Sequence, residues 1–193
     1  MNVLSKPLGR NRRNKKGSPS ANDDLFRKFV EQSSEGFAIA DEQGIIIQWN
    51  RALETLSGIS RAEAIGKTFW DIQFATTVPE LRTPEHRDHL RDSIRAFLKN
   101  GTADYMGRLV EGEILRPDGQ RRAVVQTVYP ITTGRGYRLA SILHDVTGQR
   151  QMEQALKSSE ERFRKFFDLS LIGSAIIAPD GTWLAVNDKF CSI

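Results

Sequence analysis

The side chains able to do covalent or metal chemistry are few in this chain of 193 residues: three histidines, His86, His89 and His144, and one cysteine, Cys191. They do not build a nucleophile–base pair, an internal disulfide or a multi-thiolate metal site. Phosphoryl transfer to histidine finds no acceptor. Pro79-Glu80-Leu81-Arg82-Thr83-Pro84 keeps the frame of a phosphoacceptor box, but proline stands where the histidine is needed. His144-Asp145 falls at a strand end without that frame, and Gly134-Arg135-Gly136 is a two-glycine turn rather than a phosphate-cradling loop. The expectation is a chain that catalyses nothing by itself.

Charge offers a second chemistry. The net charge of +4 and the pI of 9.4 belong to residues 1–21, which carry Lys6, Arg10, Arg12, Arg13, Lys15 and Lys16 and no acid. The remainder is mildly acidic. This segment has almost nothing to bury and reads as a disordered basic tail. Attraction to nucleic acid or to an anionic membrane surface is one alternative for it. It lacks aromatic residues for base stacking, so no specific nucleic-acid partner is expected. Elsewhere 39% hydrophobic and 27% charged residues are those of a globular chain, and no apolar run reaches the ~18–20 residues of a membrane span. With a single cysteine, a reducing, cytoplasmic setting is the expectation.

The elements that position any site are organised by a repeat. Phe26-Arg27-Lys28-Phe29 recurs as Phe163-Arg164-Lys165-Phe166, and the offset of 137 holds without a gap through Asn50 and Asn187, with 10 identities in 25 positions. A duplicated unit follows from this. The second copy reaches only to Ile193, too little to close a core, so the sequence reads as a piece of a longer protein or a cut reading frame. In the first copy Asn22 is a plausible N-cap for a helix with Leu25, Phe26, Phe29 and Val30 on one face. Strands follow at 36–40 and 45–49 around a Gly44 turn, then a helix capped by Asn50 and stopped at Gly58, and a capping box at Ser60-Arg61-Ala62-Glu63. Residues 73–84 read as loop. Leu90, Ile94, Phe97 and Leu98 mark an amphipathic helix ended by Asn100-Gly101, and strands are expected at about 106–115, 121–129 and 137–144. The fold class is α+β: a five-stranded antiparallel sheet with helices on one face, flanked by N-terminal and C-terminal amphipathic helices.

Several motifs in order resemble a known family. Trp49-Asn50 with Leu53, then Leu56-Ser57-Gly58-Ile59-Ser60-Arg61-Ala62-Glu63-Ala64-Ile65-Gly66-Lys67, resembles the first half of a PAS domain; Arg116-Pro117-Asp118-Gly119 resembles its Asp-Gly hairpin, and Asp145-Val146-Thr147 its closing Asp-Ile-Thr signature. The resemblance implies a PAS domain over 22–147, a signalling helix over 148–168 and the start of a second, truncated PAS domain over 161–193. It further implies a sensory and signal-relay role, as in sensor histidine kinases, with a downstream kinase or other output domain as partner; a ligand-free dimerisation module is the alternative within the fold.

Two sets of candidate residues come from this frame. Met152, Leu156, Ser159, Phe163 and Phe166 are spaced 4, 3, 4, 3, a heptad seam for a parallel homodimer; the bland alternative is an amphipathic helix packed on its own domain. Asp145 and Thr147 would anchor that helix to the sheet and transmit a change. If Leu143 points inward, strand parity also turns Leu139 and Ser141 inward, opposite Ile94 and Phe97, with Gln126 or Thr127 on the neighbouring strand. These residues are the candidate ligand pocket, set against a core that packs solid with Ser141 bonded to backbone, which is the preferred reading. The cofactor is unknown. The Asn-Cys-Arg stretch of flavin-binding light sensors is absent, and Cys191 reads as a small buried residue. His86 and His89 lie at the start of the long helix beside Arg87 and Arg91, surroundings that favour solvated histidines over haem ligands.

Overall fold

Two short apolar runs around a tight turn begin the sheet. The computed structural model describes residues 21–102 and 107–192, with side chains from 24 onward. Helix α1 (Ala21–Gln32) leads into β1 (Gly36–Ala40) and β2 (Ile46–Trp49). Gly44 takes φ +83° in the turn between the strands, and a Cβ there would meet the Trp70 ring at 2.5 Å, so both backbone and packing require glycine. Asn50 accepts from Leu53 N–H to start α2 (Arg51–Ser57), and Gly58 ends it at φ 73°. The capping box at Ser60 and Glu63 starts α3 (Arg61–Ala64), and α4 (Phe69–Ala75) follows it. Helix α5 (Pro84–Asn100), with Pro84 in its first turn and Gly101 at φ 69°, carries Ile94, Phe97 and Leu98 inward.

Strands β3 (Val110–Leu115), β4 (Arg121–Thr133) and β5 (Gly136–Asp145) complete an antiparallel sheet of order β2-β1-β5-β4-β3. The two earliest strands thus join the last at the centre. Register places Ala38, Ser141 and Val128 in one row and Gly36, Leu143, Gln126 and Val110 in the next, all on the face that α2 to α5 cover. Trp49, Leu53, Phe69, Trp70, Phe97 and Leu139 form the heart of that core. The Trp49 indole N–H donates to Ile59 O at 3.1 Å, so its one polar atom is satisfied.

Three expectations need correction. The span read as loop begins inside helix α4, which a single 3-10 turn at Pro79–Leu81 follows. Thr68 caps α4 by accepting from Asp71 N–H, a Thr-x-x-Asp start signal hidden by the short apolar run behind it. Helix α1 begins at Ala21, ahead of the expected cap Asn22, whose side chain lies outside the described residues, as does the basic tail. The third strand starts at Val110 rather than 106, and 103–106 are outside the described residues.

Beyond the sheet, α6 (Thr147–Asp168) leads to β6 (Ala175–Ile177), β7 (Trp183–Val186) and α7 (Asp188–Cys191). This second hairpin repeats the first at the same offset. Ala175 pairs with Val186 and Ile176 with Ala185, with a bulge before Ile177, as Ala38 pairs with Trp49 and Ile39 with Gln48, with a bulge before Ala40. Gly181 has φ +88°, and Gly181 N–H donates to Ala178 O as Gly44 N–H does to Asp41 O. Cys191 is exposed rather than buried, because nothing among the described residues covers it.

Candidate functional site

The core does not pack solid. Between the sheet and α4–α5 lies a cavity of about 250 Å³, with a neighbouring one of about 170 Å³. Phe69, Gln73, Leu90, Val110 and Gln126 border both. Of the sequence candidates, Gln126 lines both, Leu143 the larger, and Ile94 and Leu139 the smaller. Phe97 is fully buried in close-packed core and borders neither cavity. Thr127 stands opposite Ile142 in the register, one residue out of phase with Gln126 and Leu143, and so faces the other side of the sheet. Ser141 is fully buried beside the cavities without lining them, and its hydroxyl accepts from Gln126 Nε2–H at 2.8 Å rather than bonding to backbone. His86 borders the larger cavity, and His89, expected off the inward face, borders the smaller. Among the described residues no group of His, Cys, Asp and Glu is placed to hold a metal ion.

A strap formed by residues 76–82 runs along one side of the larger cavity. Leu115 N–H donates to Thr76 O at 2.8 Å, tying the strap to β3. The Arg82 guanidinium donates to Ala75 O and Thr77 O, both at 2.9 Å. Arg121 pairs with Glu80 on the strap and with Glu113 on β3. The Glu80 carboxyl is held below its ordinary pKa by its backbone hydrogen bond and by Arg121. Asp71 is likewise lowered, first by the Thr68 hydroxyl and then by Arg87, which locks α4 to α5.

The other sequence-derived site is the joint between sheet and α6. Val146 N–H donates to Ala123 O at 2.9 Å, and the Thr147 hydroxyl accepts from Ala123 N–H at 2.9 Å. Asp145 accepts from Thr147 N–H at 2.9 Å and lies 3.6 Å from Arg122. One hydroxyl and one carboxylate therefore set the direction in which α6 leaves. No described residue of α6 is buried. Met152, Leu156, Phe163 and Phe166 are 71%, 62%, 54% and 80% exposed, and Ser159 is exposed with them, so the seam does not pack on its own domain.

Sequence reasoning saw Asn50 only as a helix cap, yet it is a hub. Its Oδ1 accepts from Phe37 N–H and Leu53 N–H, and its Nδ2 donates to Val30 O and Glu35 O, at 2.8–3.0 Å. Asn187 makes the same four bonds at the offset of the repeat: from Ser174 and Phe190 N–H, and to Phe167 and Ile172 O, at 2.9 Å each. Each asparagine clips the end of the preceding helix to the following hairpin. Gln73 escapes the sequence reading because it opens the span 73–84 that reads as loop, whereas it lies in the last turn of α4. Gly112, a lone glycine inside a strand pattern, is the signal for a close backbone approach that could have found the cavity.

With this geometry in view, comparison with known proteins is informative. The PAS domain family model matches residues 34–148. Sporulation kinase E of Bacillus subtilis is 25% identical over 179 residues, covering 90% of this chain and 21% of that protein. An uncharacterized protein of Azorhizobium caulinodans is 28% identical over 131 residues, covering 68% of this chain and 17% of its own length. The chain thus spans about a fifth of each of these relatives. The PAS domain from Bordetella pertussis BvgS has a TM-score of 0.50 at 16% identity, covering 72% of this chain and 96% of that structure, a likeness of fold. Among the described residues no helix is long and apolar enough to cross a membrane.

Proposed function

Because this chain belongs to the PAS domain family, we propose that it is the sensory and relay part of a signalling protein whose output domain is a kinase. In this reading a change in the first unit's core passes through the Asp145–Thr147 joint into α6, and α6 pairs with its copy in a parallel homodimer. The observation that carries it is a 22-residue helix bonded to the sheet at its first residue, clipped by Asn187 near its last, and unburied between. A lone helix with so much apolar surface in water has a cost that a second copy removes. The unit beyond α6 is then the start of a second PAS domain, supported by the shared register, bulge and asparagine hub. The kinase reading is supported by similarity to sporulation kinase E across the first unit, the helix and the second hairpin together. The chain's own role is non-catalytic, and its setting cytoplasmic.

Sedimentation equilibrium of the full chain and of Phe163→Asp tests this reading. A dimer that the substitution converts to a monomer supports it. A wild-type monomer, or a dimer indifferent to Phe163→Asp, contradicts it.

A further inference from the structure

We propose that the paired cavity takes an uncharged, largely apolar small molecule of about two fused rings that presents one amide-like group to Gln126 and Gln73. This rests on the sensory reading above and names the chemistry of its input. Size comes first. An apolar cavity of ~150 Å³ admits benzene; here the larger lobe is about 250 Å³ and shares Phe69, Gln73, Leu90, Val110 and Gln126 as walls with one of about 170 Å³.

Glycine supplies an independent sign that the space is kept open. Gly112 sits on the inner face of β3, opposite Val124, and its φ is not in the left-handed region. A Cβ at this position would meet nothing within 4 Å. A glycine inside a strand is destabilising relative to alanine, and neither a turn nor packing requires one here. Gly36 on the same face is the contrast, since a Cβ there would strike Leu53 at 2.9 Å. Gly112 is exposed on the edge strand β3, so what it provides is an open side of the larger lobe where a molecule can lie against the strand backbone.

Charge then narrows the class. Among the described residues no Lys or Arg lines either lobe. Glu111 and Glu113 point to the outer side of β3, where Arg150 and Arg121 engage them. A carboxylate or phosphate brought inside would lose its hydration and meet no Lys or Arg in return. Of the polar side chains on the inner walls, the Ser57, Thr76 and Thr77 hydroxyls already donate to backbone carbonyls, and His86, His89 and Ser93 stand on α5, none of them buried; two carboxamides remain. Gln126 is oriented by its bond to the buried Ser141 hydroxyl, which leaves its Oε1 without a partner among the described residues. The Gln73 carboxamide also has no partner among them. A donor and an acceptor close together on the ligand, as in a lactam, satisfy both; a bare hydrocarbon leaves them unpaired.

The test uses the full chain and three probes of one size: 2-quinolinone (a neutral lactam), naphthalene and 2-naphthoate, with binding read by protein-detected NMR titration. The expected order is 2-quinolinone tightest, naphthalene weaker by about tenfold or more, and 2-naphthoate weakest. Gln126→Leu should abolish the preference for 2-quinolinone and retain naphthalene. Gly112→Leu should abolish binding of all three while the thermal midpoint of the empty protein holds or rises, which separates a filled cavity from a failed fold. Tighter binding of 2-naphthoate, no binding of any probe, or undiminished binding to Gly112→Leu overturns the proposal. A wild-type dimer that binds none of the probes sinks the ligand chemistry and leaves the relay reading standing; a monomer that binds 2-quinolinone does the reverse.

Discussion

The hairpin at Asn50 and the hairpin at Asn187 are the same object in two settings. Both asparagines are 1% exposed and make the same four hydrogen bonds, and both hairpins share one register and one bulge. Their surroundings differ. Ile46 and Leu53 are buried in the first, whereas their counterparts Trp183 and Phe190 are exposed in the second. Gly44 serves both its turn and the packing of Trp70, while a Cβ at Gly181 would have nothing within 4 Å, so that glycine serves the turn alone. Local hydrogen bonding therefore shapes the hairpin and its junction with the preceding helix without a closed core. The core formed by α4, α5 and β3 to β5 adds burial, and with it the cavity.

The largest break in this comparison is expected from the asparagines themselves. Asn50→Ala leaves two N–H and two C=O groups of a buried junction unpaired, and should lower stability by about 3 kcal/mol or more in urea denaturation. Asn187→Ala should leave that main transition unchanged and raise hydrogen exchange only at Ser174 and Phe190. Equal losses from the two would show that the second hairpin is part of the first unit's cooperative fold. Next in size, Thr147→Val removes the hydroxyl that accepts from Ala123 N–H and should cost about 1–2 kcal/mol, with faster exchange in the first turn of α6. Leu156→Ser, at an exposed position, should change stability of the monomeric fold by less than about 0.5 kcal/mol while weakening self-association.

The smallest effect is electrostatic. Asp71 has its pKa lowered by Thr68 and Arg87, so its contribution is present above the ordinary carboxylate range and is lost as pH falls through the lowered native value. Asp71→Asn should flatten the acid side of the stability profile. In the second hairpin, Asp180 is lowered by its bonds to Thr182; Asp180→Asn should leave the profile of the first unit untouched.

Much of this was legible in the residues, and the failures have physical causes. Turn glycines, the Asn50 cap and the Ser60 capping box are local signals, and they mark the starts of β2, α2 and α3 within a residue or so. The five-stranded sheet followed from counting alternating runs. With Leu143 taken as inward, strand parity turns Leu139 and Ser141 inward too, but parity does not choose between Gln126 and Thr127; only pairing fixes the phase of β4 against β5. The sequence puts Phe97 among the pocket candidates because a helix face shows direction but not whether space lies beyond it. The cavity itself is a deficit of volume among many side chains, which strand parity and helix faces do not measure.

The most direct test of the relay account is cysteine cross-linking along α6 in the full chain carrying Cys191→Ser. In a parallel dimer each seam residue opposes its own copy. Single cysteines at Met152, Leu156 and Phe163 should therefore form intermolecular disulfides rapidly, while those at Glu153, Lys157 and Glu160 should form them slowly. Fast cross-linking at all six positions, or at none, would contradict a dimeric relay helix.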